Sequence, residues 1–411
     1  MEGTHETRHR LSAVRREGER VTPLELFFDL VFVLAITQCT ALIVAEPTWA
    51  SVAQGLAILA LLWWSWGGYA WLTSVVNPEE GVVRIVMFAA MAAFLVAALC
   101  VPEAFDSSAL FFACAYGVVR AAHITLFLIA SREDPSLRRS VNGLAGSTAL
   151  GVGLLFAAAA FDGAAQAAIW ALALLLDFGG PFLFGVEGWK LVPGHFAERH
   201  GLIVIIALGE SLVAIGVGVS EFSLSVAVVT SVLLGISITV GLWWAYFDVV
   251  APVAERVLER TQGVARAHLA RDSYTYLHLP MVVGIVFLAL GLKKVVGYVS
   301  DSTEHELSDP LTGMPLVALY GGVALYLLAL VAFRLRNVRS LNAQRLAVAA
   351  LLLVLVPVAW QLPALLSLAV VAALVVGLIG YEATHFAEAR AAIRHDASDG
   401  GLIPPEQPAR P

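Results

Sequence analysis

Charged side chains stand at several places where the neighbouring residues are apolar. Glu25 and Asp29 lie one helical turn apart in RVTPLELFFDLVFVLAIT, residues 20–37. Arg120 and His123 fall in one later apolar run, Asp177 precedes Phe178-Gly179-Gly180-Pro181, and Glu210 sits between Gly209 and Ser211. A charge near the centre of a bilayer costs at least about 2.5 kcal/mol on insertion scales, so each group needs a partner, water or a ligand. Asp29, Asp177 and Glu210 have the chemistry to bind a cation or a proton. Arg120 can neutralise them or hold an anion. The expected arrangement is a buried cluster of Arg120 with Glu210 and either Asp177 or Asp29, with His123 one turn from Arg120 and Ser211 beside Glu210. The alternative is a static ion pair that fixes helix register.

Glu25 has a structural reading of its own. Thr22-Pro23-Leu24-Glu25 fits the N-cap, N1, N2 and N3 positions of a helix, where Thr22 and Glu25 satisfy each other's amides. Asp29 is one turn too deep for that cap. It is either a functional carboxylate or one favoured by the positive end of the helix dipole.

The elements that must carry these residues are membrane helices. The 411 residues are 59% hydrophobic and 14% charged, and mean hydropathy is +0.82. Runs long enough to cross a hydrocarbon core of about 30 Å recur throughout. The fold class expected is all-α: a polytopic transmembrane bundle of about 12 spans, at 26–45, 52–75, 83–101, 109–131, 140–161, 164–185, 200–219, 224–249, 274–299, 314–334, 343–361 and 363–382. Of the 25 Lys and Arg, all but Arg120, Lys293 and Lys294 fall on one side of that arrangement. The positive-inside rule then places both termini in the cytoplasm. The lone partner implied by composition is the lipid bilayer.

Two halves of six spans share features in the same order. Leu62-Trp63-Trp64-Ser65-Trp66 corresponds to Leu242-Trp243-Trp244-Ala245-Tyr246, Tyr116-Gly117 to Tyr320-Gly321, and Arg139-Ser140-Val141-Asn142 to Arg339-Ser340-Leu341-Asn342. An even number of spans per half makes the repeats parallel, a known transporter design with the substrate site between the halves. The organisation expected is a basic cytoplasmic segment 1–21, repeats 22–185 and 186–385, and a disordered tail 386–411. The five paired tryptophans read as core side chains. Pro181 and its glycines predict a kink or break in span six just beyond Asp177.

Other chemistry finds little support. His195, Glu198, Arg199 and His200 lack the H-E-x-x-H spacing and read as a solvated mixed-charge stretch ahead of span seven. Cys39, Cys100 and Cys114 all lie in apolar runs and form no metal pattern. His278 is either a proton-handling group or a core residue. There is no P-loop and no G-x-S-x-G elbow, and no catalytic residue, metal site, cofactor or nucleic-acid partner is expected.

Two stretches, Arg20-Val21-Thr22-Pro23-Leu24-Glu25-Leu26-Phe27-Phe28-Asp29-Leu30-Val31-Phe32-Val33 and Glu198-Arg199-His200-Gly201-Leu202-Ile203-Val204-Ile205-Ile206-Ala207-Leu208-Gly209-Glu210-Ser211, resemble the paired signatures of the bacterial low temperature requirement protein A family. The resemblance covers roughly residues 20–385. It implies a multi-pass inner-membrane protein and supplies no biochemical activity. A fainter likeness, to two-repeat potassium channels with Phe-Ser-Asp in the first helix, departs at Phe28 and at Leu202. The residues themselves point to secondary transport of an ion or small polar solute. A cation channel and a membrane-embedded enzyme or sensor are the alternatives.

Overall fold

The computed structural model describes residues 20–79, 81–219, 224–301 and 303–387. Apart from residues 20–21 and 386–387, the expected basic segment and disordered tail lie outside them. Within the described residues the chain is helical with no strand: α1 (Pro23–Ala45), α2 (Trp49–Thr73), α3 (Gly81–Leu99), α4 (Ala109–Ala130), α5 (Pro135–Ala158), α6 (Gly163–Leu183), α7 (Pro193–Val219), α8 (Val226–Phe247), α9 (Val250–Arg260), α10 (Gly263–Leu269), a π-helical segment Ala270–Tyr276, α11 (His278–Ser300), α12 (Gly313–Val338), α13 (Ala343–Ala359) and α14 (Ala364–His385). Among the described residues, eleven helical stretches are long and apolar enough to cross a membrane, and α13 is a shorter apolar helix. The chain is a polytopic helical membrane protein. Ile85, Phe111 and Leu175 are 67–70% exposed, an outward apolar surface suited to lipid.

Helix starts follow the local sequence. The Thr22 hydroxyl accepts from the Glu25 amide and the Glu25 carboxylate accepts from the Thr22 amide, with Pro23 at N1. Thr48 and Ser51 repeat the device at α2. Asp134 caps α5 through the Ser136 and Leu137 amides, ahead of Pro135.

Hydropathy alone misplaces two elements. Helix α7 begins at Pro193 rather than at 200, so His195, Glu198, Arg199 and His200 belong to its first turns. His195, Arg199 and His200 are fully buried, which corrects their reading as a solvated stretch: the four-residue step from 195 to 199 puts both side chains on one helix face. The connection expected between spans eight and nine is largely helical. Val250, Ala254 and Leu258 recur every four residues on the buried face of α9, a pattern that a test for continuous apolar runs cannot register. Helix α6 runs through Pro181 without the expected break. The Phe178 carbonyl accepts from the Tyr276 hydroxyl and the Pro181 carbonyl from Arg271, so side chains serve backbone groups around the proline.

The chain divides into two compact units, one of residues up to 210 with 261–286, the other of 211–260 with 287 onward. The divisions fall inside α7, between α9 and α10, and inside α11. In the first unit α1 packs on α2 and α3, α2 on α4 and α6, and α3 to α6 on their sequence neighbours. Its core is aromatic, with Phe28, Phe32, Trp63, Trp66, Tyr69 and Phe94 buried. In the second unit α8 packs on α9 and α14, α12 on α9 and α13, and α13 on α14. Arg345 forms a bidentate pair with Glu382 there. Trp63, Trp64 and Trp66 are buried as expected, but Trp243 and Trp244 are 42% and 36% exposed. The aromatic pair of α8 therefore faces outward and is not core.

Candidate functional site

Two buried polar clusters occupy the first unit. The first joins the start of α1 to the start of α7. Glu25 Oε1 lies 2.8 Å from His195 Nε2 and 3.7 Å from Arg199 Nη1, while Oε2 serves the Thr22 cap. The capping reading of Glu25 holds, but it describes half of the residue's work. Asp29 Oδ1 accepts from Arg199 Nη2 at 2.5 Å and from Trp66 Nε1 at 2.7 Å. Arg199 also donates to Thr73 Oγ1 at 2.8 Å and lies over the rings of Phe28 and Trp66 at 6.0 and 5.7 Å. Val21 N donates to Glu198, and farther along the same helices Thr37 donates to Glu210 at 2.5 Å. His200, whose Nδ1 donates to the Phe196 carbonyl, is packed among Trp63, Trp66, Tyr274 and His278.

Arg199 is the fixed cation beside two carboxylates. His195 adds a second hydrogen-bonding partner to Glu25.

The second cluster lies between α4, α5 and α6. Arg120 Nη2 donates to Thr148 Oγ1 at 2.7 Å and reaches Asp177 Oδ1 at 3.4 Å. Tyr116 donates to Asp177 Oδ2 at 2.6 Å. Arg120, His123 and Asp177 are each 1% exposed. The expected cluster is thus built in part. Arg120 meets Asp177 but neither Asp29 nor Glu210, because Asp29 is taken by Arg199 and Trp66, and Glu210 by Thr37. Ser211 is buried and belongs to the second compact unit.

Beside Arg120 is a cavity of about 60 Å³, several times the roughly 10–15 Å³ that one water needs. Its wall includes Trp64, Arg120, His123, Arg271 and Thr275, and it reaches Gly185 and Trp189 in the connection from α6 to α7. Arg120 Nε and Trp64 Nε1 are buried with no hydrogen-bond partner. Gly68 makes room for the His123 ring, since a Cβ there would stand 2.8 Å from it. Arg271 and Thr275 come from the π-helical segment, a type of distortion frequent at functional sites. Thr275 is fixed from two sides: Trp63 donates to its carbonyl and Trp71 to its hydroxyl.

Glu25 and Asp29 on α1 and Glu198, Arg199 and Glu210 on α7 lie in the two stretches that carry the family resemblance, while Thr37 and His195 lie outside them. The model of the family described as bacterial low temperature requirement A protein (LtrA) matches residues 20–380. The chain belongs to the LtrA family. An uncharacterized protein of Rhizobium meliloti (strain 1021) is 28% identical over 313 residues, covering 72% of this chain and 75% of its own length. No solved structure matches. The LtrA stretch at 198–211 thus begins within the first turns of α7, opposite the stretch at 20–33.

Sequence reasoning missed His195, Arg199, Trp64 and Arg271. The first two had a usable signal, a four-residue spacing equal to that of Glu25 and Asp29. For Trp64 and Arg271 the signal is tertiary: the π-helical segment and the interior of α2 converge on one cavity, and no local pattern encodes that.

Proposed function

We propose that this LtrA-family protein is a secondary transporter of an ion or small polar solute in the bacterial cytoplasmic membrane, with both termini on the cytoplasmic side, and that the solute binds in the cavity beside Arg120. The observation that carries this reading is the cavity itself, whose wall includes Arg120 and Trp64, each with a buried nitrogen that has no protein partner. A purely structural ion pair gains from complete hydrogen bonding, because every unpaired buried donor adds a desolvation penalty. The Asp29–Arg199 pair also leaves Asp29 Oδ2 and Arg199 Nε without a partner, but Arg199 donates through both Nη1 and Nη2, to Thr73 and Asp29. Arg120, by contrast, engages protein through Nη2 alone and lines a cavity. The parallel repeat read from the sequence supports the same assignment. A channel lined by α1 and α7 is less well supported, since Asp29 and Glu210 there meet protein partners directly.

The test is flux into liposomes holding the purified protein, under a proton or sodium gradient, with radiolabelled lactate, methylammonium, acetamide and rubidium as probes. Saturable uptake of one probe, reduced at least tenfold by Arg120→Ala, is expected. No uptake of any probe above empty liposomes, together with full complementation by Arg120→Ala and Glu210→Gln in cells, overturns the reading.

A further inference from the structure

The cavity wall also bears on which chemical class it accepts. We propose that its ligand is a small monovalent anion with an apolar body, of the short-chain monocarboxylate class; this rests on the cavity being the solute site.

Hydrogen-bond polarity comes first. Trp64 Nε1 and Arg120 Nε are donors only, and both are buried without a partner. Thr275 Oγ1 already accepts from Trp71 and keeps its proton and one lone pair. The unpartnered nitrogens of the lining residues Trp64 and Arg120 are thus donors, which a carboxylate, with two oxygens and about four lone-pair sites, can answer. An ammonium group, which has donors alone, cannot.

Charge points the same way. Arg120 and Arg271 line the cavity and no carboxylate does. Asp177 lies behind Arg120, tied to Tyr116, and Asp272 is held by Arg271 Nε at 2.8 Å. The 3.4 Å approach of Asp177 to Arg120 is long for a charge-assisted bond, which leaves the guanidinium able to engage a second anion.

The rest of the wall sets the body of the ligand. Trp71, Leu144, Pro181, Phe184, Val186 and Trp189 supply an apolar surface. An inorganic anion would leave that surface unused, whereas a short alkyl chain covers it.

The experiment uses full-length protein in nanodiscs and follows tryptophan fluorescence at constant ionic strength. The probes are propionate, propionamide and propylammonium, which share a shape and differ in charge. Propionate is expected to give a saturable change, binding at least tenfold more tightly than propionamide, with no saturable change from propylammonium. Trp64→Phe keeps a ring to pack on Phe178, whose centroid lies 4.7 Å from that of Trp64, and removes the donor. It is expected to weaken propionate about tenfold, as for a hydrogen bond to a charged group. The paired variant Arg120→Gln/Asp177→Asn keeps the buried site neutral and is expected to abolish binding. Propylammonium binding as well as propionate, propionate binding indifferent to both variants, or no propionate binding overturns the assignment. Cation flux without propionate binding ends the anion assignment and leaves the transporter reading standing. Propionate binding without flux of any solute does the reverse.

Discussion

Asp29 on α1 and Arg199 on α7 stand 170 positions apart in sequence and meet at 2.5 Å, with neither side chain exposed. Removing one member leaves the other charge buried. Arg199→Ala is therefore expected to destabilise the protein by about 3–5 kcal/mol. The paired variant Asp29→Asn/Arg199→Gln is expected to lose less than the sum of the two single changes. Thermal denaturation of the purified protein in detergent, arranged as a double-mutant cycle, measures both; simple additivity would mean that the contact is not an energetic pair.

Glu25 serves the helix cap and the ion cluster with different oxygens, and two substitutions separate those roles. Thr22→Ala removes a cap and is expected to cost about 1 kcal/mol. Glu25→Ala removes the cap together with the partner of His195 and Arg199, and is expected to lower the melting temperature clearly further. Equal losses would reduce Glu25 to a capping residue.

Three glycines give contrasting outcomes. Gly188 has φ +79°, and a Cβ there would lie 2.3 Å from the Leu137 amide nitrogen. Gly188→Ala is expected to destabilise by at least about 1–3 kcal/mol through backbone strain. Gly209 has open space where a Cβ would go, so Gly209→Ala within α7 is expected to stabilise by up to about 1 kcal/mol. Gly68→Ala forces the His123 ring to shift and should change ligand binding more than stability. Melting curves of the three variants, with propionate titration of Gly68→Ala, provide the comparison.

Asp134, outside the spans, is held below the usual carboxylate range by hydrogen bonds from Lys190, then Ser136 and the Leu137 amide. A carboxyl depressed by folding contributes stability above its unfolded pKa of about 3.9 and loses it as pH falls through the lower folded value. Lys190→Ala is expected to produce a small loss at pH 7, unchanged down to about pH 5, with its melting temperature converging on that of the parent protein as pH drops below about 4. A difference that grows on acidification would contradict the assignment.

Apolar runs sufficed to locate most of the helices, because lipid imposes a length and a composition that read directly from sequence. Thr22-Pro23-Leu24-Glu25 disclosed the first cap for an equally local reason. The start of α7 was hidden because His195 and Arg199 are polar yet buried, and their burial depends on carboxylates on a distant helix. Asp177 was named as one possible partner of Arg120, whereas the exclusion of Asp29 followed from Arg199, which the hydropathy boundary had left in a loop. The cavity was not legible at all, since the π-helical segment that brings in Arg271 and Thr275 arises from packing.

Counterflow tests the central claim, solute transport through the Arg120 cavity, most directly. Proteoliposomes are loaded with unlabelled lactate, methylammonium, acetamide or rubidium, and the matching tracer is added outside. A carrier site that alternates between the two faces predicts a transient overshoot of internal tracer for one of these solutes, absent in Arg120→Gln/Asp177→Asn. Tracer that rises monotonically to equilibrium, equally in the parent protein and the paired variant, or that never exceeds empty vesicles, would contradict it.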